Sequence, residues 1–142
     1  MVDLDVVIAK INTIKRCLNR IAAVTGMAPA KLEDITLQDV FVLNLQRAAQ
    51  ACIDLAVHVI ASEDLGIPAD LRENFSLLEE SGIISRDVST KMKKMAGFRN
   101  LAVHEYQSLD LDVLRSILEK NLGNFEEFYT SIINHFNLGS DW

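Results

Sequence analysis

A chain of 142 residues, 49% of them hydrophobic, is long enough to bury a core of its own and fits one domain over residues 1–142. Two prolines and six glycines interrupt it little, which disfavours a loop-rich sandwich and favours long regular elements. A formal net charge of −6 argues against the bulk electrostatic hold on nucleic acid that a uniformly basic domain has.

The first helix is expected from about Asp3 to Val24, where Leu4, Val7, Ile11, Ile14, Leu18 and Ile21 recur at steps of three and four. Gly26 and Pro29 end it. Thr36 followed by Asp39 resembles a capping box opening a second helix from Leu37 to Glu63. That helix has two apolar stripes, one through Phe41, Leu45, Cys52 and Val59 and another through Val42, Ala49, Ile53 and Ile60. Such a helix is central in its fold or also meets another subunit. A shorter helix is expected over Ala69–Ser81, stopped by Gly82. Ser85 then caps a third long helix that turns Val88, Met92, Met95 and Ala102 inward. After a turn at Gln107–Ser108, the last helix runs from about Asp110 to Phe136 on the stripe Leu111, Leu114, Leu118, Phe125, Phe128, Ile132 and Phe136. The expected class is all-α, an up-and-down four-helix bundle with one extra short helix.

Cys17 and Cys52 form no C-x-x-C or other ligand pattern and lie among apolar neighbours, so both are expected reduced and buried. The opening Met1-Val-Asp-Leu-Asp is acidic where a secretory leader is basic. No run approaches the roughly 18 uninterrupted apolar residues of a membrane span. A soluble cytoplasmic protein without membrane contact is the expectation.

Glycine-rich phosphate loops, H-E-x-x-H, G-x-S-x-G and calcium loops are missing from the sequence, and no cofactor or metal is expected. His58 lies four residues after Asp54, the spacing of a local Asp–His pair, and His135 takes no role. Between positions 86 and 99 five bases (Arg86, Lys91, Lys93, Lys94 and Arg99) stand against one acid, Asp87. A solvated helix face accounts for such a run as well as an anion site does. The end of the third long helix, Phe98-Arg-Asn-Leu-Ala-Val-His-Glu-Tyr106, gathers four polar groups suited to catalysis. Asn100 and His104 are stacked on one helix face, and Arg99 lies about 100° further round. Gly97, lacking side-chain bulk, would let another backbone approach closely. By spacing alone, the segment also fits a helix end whose histidine suits the dipole and whose tyrosine packs on the next helix.

Arg99-x4-His104-x-Tyr106 resembles the Arg-x4-His-x-Tyr motif of the HepT-like toxins, a branch of the HEPN superfamily. The stretch Leu45 to His58 looks like that family's central helix, and Phe75 to Ile83 precedes the motif in the family's order, so the resemblance covers essentially the whole chain. It implies a four-helix HEPN bundle, a symmetric homodimer and a metal-independent endoribonuclease acting as the toxin of a toxin–antitoxin system. The family's catalytic arginine and histidine fall on Arg99 and His104, its following polar residue on Asn100, and its modifiable tyrosine on Tyr106. The implied partner is a minimal nucleotidyltransferase antitoxin that transfers AMP to Tyr106 and assembles with the toxin.

Without a metal, the RNA's own 2′-hydroxyl is the expected nucleophile. An imidazole titrates near neutrality and suits proton transfer, giving His104 that task. The planar guanidinium of Arg99 suits the phosphate, while Asn100 is expected to orient His104 or contact the RNA backbone, and Lys94 to support the site by contacting RNA. One histidine does not serve readily as base and acid in one step, so two motifs facing each other across a two-fold axis are expected. Two alternatives are a non-catalytic HEPN module that binds a nucleotide or partner, and a purely structural helical dimer that leaves the motif unexplained.

Overall fold

The computed structural model describes residues 2–139. Helix α1 (Leu4–Thr25) opens where Asp3 accepts hydrogen bonds from the Asp5 and Val6 amides. It closes on Gly26, whose φ of +59° is a conformation that a Cβ disfavours. A turn of 3-10 helix over Pro29–Glu33 follows and seats Leu32 in the core. Helix α2 (Ile35–Ser62) starts two residues earlier than the capping-box reading placed it. Its cap is Asp34, which accepts from the amides of Thr36 at 2.9 Å and Leu37 at 3.2 Å. A carboxylate one residue before the helix serves both free amides, and Asp39 is released for another partner.

Helix α3 (Leu71–Glu80) is capped by Asp70, and α4 (Arg86–His104) by Ser85 as expected. The last expected helix is divided. It begins as α5 (Leu111–Ser116), widens into a π-helical turn over Ile117–Asn121, and resumes as α6 (Gly123–His135). The apolar stripe continues through the wide turn, with Leu114, Leu118, Phe125, Phe128 and Ile132 all buried, which is why periodicity alone missed it.

Helices α1 and α2 share the longest face, and α4 packs on α2 and α6. Lys15 of α1 sits over the ring of Tyr129 on α6 at 5.5 Å, closing the four-membered circuit. The core runs through every long helix and is anchored by the fully buried Phe41, Phe75, Phe125 and Phe128. Phe75 of α3 meets Phe128 edge to face, ring centres 5.6 Å apart. Helix α2 has a stretch long and apolar enough to cross a membrane, yet most of that stretch is buried within the bundle. It is the central helix that its double stripe predicted. Cys17 and Cys52 are both free and buried, and burial pushes both thiols up.

One side-chain expectation changes. His58 does not pair with Asp54: its Nε2 accepts the Asp3 amide at 3.1 Å, fastening the start of α1 to the far end of α2. Asp54 is taken instead by Lys10 at 3.3 Å and Gln50 at 2.8 Å. His135 bonds Glu63 at 2.8 Å and stands edge-on to Phe136, a tie between the ends of α6 and α2.

Candidate functional site

Helix α4 has two unlike halves. Its first three turns carry Val88, Ser89, Met92, Met95 and Ala96 into the core, and α3 lies along it, with the Ser89 hydroxyl donating to the Phe75 carbonyl at 3.3 Å. Beyond Phe98 only Ala102 remains buried, and Asn100, Val103, His104, Glu105 and Tyr106 are exposed. The motif therefore sits where the helix runs out past its neighbours. The helix ends at His104, and Glu105 turns the chain into a short 3-10 turn, Tyr106–Ser108. His104 is the basic residue of the last turn, where the helix dipole favours a cation.

Arg99 and Asn100 are joined directly: the arginine Nη1 donates to Asn100 Oδ1 at 3.0 Å. Asn100 stands between Arg99 and His104 around the helix, and among the described residues no hydrogen bond joins it to His104. Arg99 is half-buried and enters no ion pair among the described residues, and its Nε–H is buried without an acceptor. A guanidinium held by an amide rather than a carboxylate keeps its charge available to an incoming anion.

Tyr106 is not simply protruding. Its hydroxyl donates to Asp39 on the second turn of α2, 67 residues away in sequence. Partial burial, together with that bond and the Asp39 carboxylate's charge, pushes the phenol up to about 12. Asp39, read from sequence as part of a cap, is thus a site residue that spacing concealed.

The basic run divides as well. Lys91 is bound to Asp87 and Glu127, both at 3.0 Å, and these carboxylates raise its pKa. Lys94 is exposed and lines, with Phe98, Val113 and Ile117, a hollow of about 370 Å³ beside the π turn. His104 is not among the residues that line this hollow, so the structure does not bring Lys94 and His104 together. Gly97 is not approached by another backbone. A Cβ there would lie 2.6 Å from Nη2 of Arg72, whose guanidinium occupies the space.

The whole chain has close counterparts. It is 46% identical over 124 residues to the mRNA nuclease HepT of Shewanella oneidensis, covering 87% of this chain and 93% of that one. A solved toxin–antitoxin complex with AMP-PNP contains a chain of the same fold, with a TM-score of 0.87 at 44% identity over 92% of this chain and 98% of that one. The tri-AMPylated HEPN toxin of Shewanella oneidensis, solved in complex with its MNT antitoxin, matches with a TM-score of 0.86 at 44% identity over the same shares. The model of the ribonuclease HepT-like family matches residues 14–132, taking in all of α2, α3 and α4 and the Arg99–Tyr106 segment. With a helical bundle that superposes over nearly its full length and a motif carried intact at the open end of α4, the chain belongs to the ribonuclease HepT-like family.

Proposed function

We infer that this chain is the toxin half of a toxin–antitoxin pair, an endoribonuclease that acts on RNA in the cytoplasm and is silenced by AMP transfer to Tyr106. The observation that carries the reading is the Arg99–Asn100–His104 group. It offers a guanidinium with no carboxylate partner among the described residues, bonded to an amide that stands one helical turn before an exposed imidazole.

The 2′-hydroxyl oxygen of the substrate attacks the adjacent phosphorus, and its proton passes to an imidazole. The bond from phosphorus to the 5′-oxygen breaks as that oxygen takes a proton from an acid, leaving a 2′,3′-cyclic phosphate and a 5′-hydroxyl. Arg99 neutralises the charge that gathers on the phosphoryl oxygens. His104 exchanges the proton on one side, and His104 of a second copy serves the other in a homodimer with facing motifs. Gly97 gives no argument for that dimer, because the Arg72 guanidinium lies in the space beside it. The need for two proton carriers remains the argument. A metal has no assigned task in this scheme, and among the described residues no three potential ligands gather to hold one.

In this reading Tyr106 is the acceptor of AMP. Its oxygen attacks the α-phosphorus of ATP on the antitoxin, pyrophosphate leaves, and the phenolic proton goes to Asp39, already its hydrogen-bond partner. The added phosphate lies within two residues of His104 along the chain, where it competes with RNA for Arg99.

Expression alone should arrest growth. Arg99→Ala and His104→Ala should each abolish the arrest while keeping helical content, with RNA cleavage in excess chelator reduced about 100-fold or more. A fully toxic His104→Ala, or wild-type cleavage lost on chelation and regained with magnesium, would refute this mechanism. Tyr106→Phe should remain toxic and gain no AMP mass on coexpression with the antitoxin; continued addition of AMP would place the acceptor elsewhere.

A further inference from the structure

Helix α3 covers α4 only part of the way. It runs along the buried half of α4, with Ser89 bonded beneath Phe75, and its first turn reaches the level of Gly97. There Arg72 lays its guanidinium on the bare glycine backbone so closely that a Cβ at 97 would meet Nη2 at 2.6 Å and Cζ at 3.6 Å. Arg72 is exposed and forms no ion pair among the described residues. It differs in this from Arg115, held by Glu33 and Asp112, and from Lys91, held by Asp87 and Glu127. Arg72 is thus a cation lying over the bare side of α4 with no anion supplied by the fold, free to take one from outside.

Its position says which. Gly97 and His104 are seven residues apart, so at 3.6 residues per turn they share one face of α4, about 10 Å apart along the axis. Asn100 lies between them on that face, and the helix is open from there to His104. A strand whose scissile phosphate sits between Arg99 and His104 would carry a neighbouring phosphate back along this face toward Arg72.

We propose that Arg72 binds an RNA backbone phosphate flanking the cleavage point, and that Gly97 is glycine in order to seat the Arg72 guanidinium. This rests on the ribonuclease reading above. Arg72 is then a substrate-binding residue that meets a phosphate not itself cleaved, and Gly97 is a positioning residue that acts through it. The contribution is electrostatic and without base preference, so it appears in affinity and salt dependence rather than in the chemical step.

The test uses a short fluorescein-labelled single-stranded RNA. Binding is followed in the non-cleaving His104→Ala protein across a salt series, and cleavage in the protein with His104 intact. Arg72→Ala should weaken binding about tenfold at low salt and reduce the log–log salt slope by about 0.7, one phosphate contact on a single strand. It should raise KM and leave kcat near wild type, with Arg72→Lys intermediate. Gly97→Ala should reproduce the loss alone and add nothing on the Arg72→Ala background. A wild-type protein that cuts RNA, with an Arg72→Ala variant of unchanged KM and salt slope, overturns this inference and leaves the ribonuclease reading standing. Further weakening by Gly97→Ala when Arg72 is already gone overturns the positioning role. A folded wild type that neither binds nor cuts RNA removes the parent reading and this one with it.

Discussion

The Nε–H of Arg99 is buried with no acceptor among the described residues, and an unmet donor of that kind costs about 1–3 kcal/mol. Groups kept at such a cost mark places where something other than stability is served. Arg99→Met keeps the reach of the side chain and removes the unmet donor. It should leave thermal stability unchanged or raised, while RNA cleavage falls about 100-fold. A drop in Tm together with retained cleavage would mean that the guanidinium is structural. Tyr106 presents the opposite case, a polar group fully engaged. Because its phenol is raised in the folded state to about 12, against the usual 10, the stability linked to this group is complete below pH 10. It is lost as pH climbs from about 10 through 12. Phenolate absorbance, taken as wild type minus Tyr106→Phe, should titrate near 12 and move down in Asp39→Ala. The shift should be partial, since burial is the larger cause and survives the substitution. An unmoved titration would detach Tyr106 from Asp39.

The helices were legible because their stripes are dense and their stops are chemical. Ser85, Gly82 and Gly26 each stand where the sequence predicted a boundary. The errors are equally physical. Asp34 and the Thr36–Asp39 pair compete for one helix start; Asp34 takes it, while Asp39 accepts a bond from Tyr106. The π turn over Ile117–Asn121 leaves the inward stripe uninterrupted, so periodicity has no reason to register it. Of the site, Arg99, Asn100, His104 and Tyr106 lie within eight residues and were legible as a group. Asp39 reaches Tyr106 from another element, and nothing along the chain announces it. Asp34→Ala should cost about 1 kcal/mol through two lost cap bonds. Phe128→Ala, which empties the contact of α6 with Phe75, should cost about 3–5 kcal/mol. Denaturant melts that rank these two the other way would displace the Phe75–Phe128 contact from its place in the core.

At the scale of the whole molecule the difficulty is the number of proton carriers. Each chain has one histidine in the motif, while cleavage by a 2′-hydroxyl needs a base on one side of the phosphorus and an acid on the other. His58 is held by the Asp3 amide and His135 by Glu63, so neither stands in for the missing partner. The motif's exposure at the open end of α4 gives a second copy room to approach. The net charge of −6 works against RNA binding by one protomer, whereas facing copies would bring Arg99, and Arg72 if it binds as proposed, together from both chains. A mixed dimer separates this arrangement from two independent sites. One wild-type protomer and one His104→Ala protomer, carrying different affinity tags, are coexpressed and the heterodimer is isolated on both tags in turn. Independent sites predict half the wild-type cleavage rate, because one complete site remains. A shared site that draws base and acid from different chains predicts a loss approaching that of the doubly substituted dimer, about 100-fold. The expected outcome is the larger loss. A rate near one half, from a heterodimer of confirmed composition and undiminished RNA affinity, would return both proton transfers to a single chain.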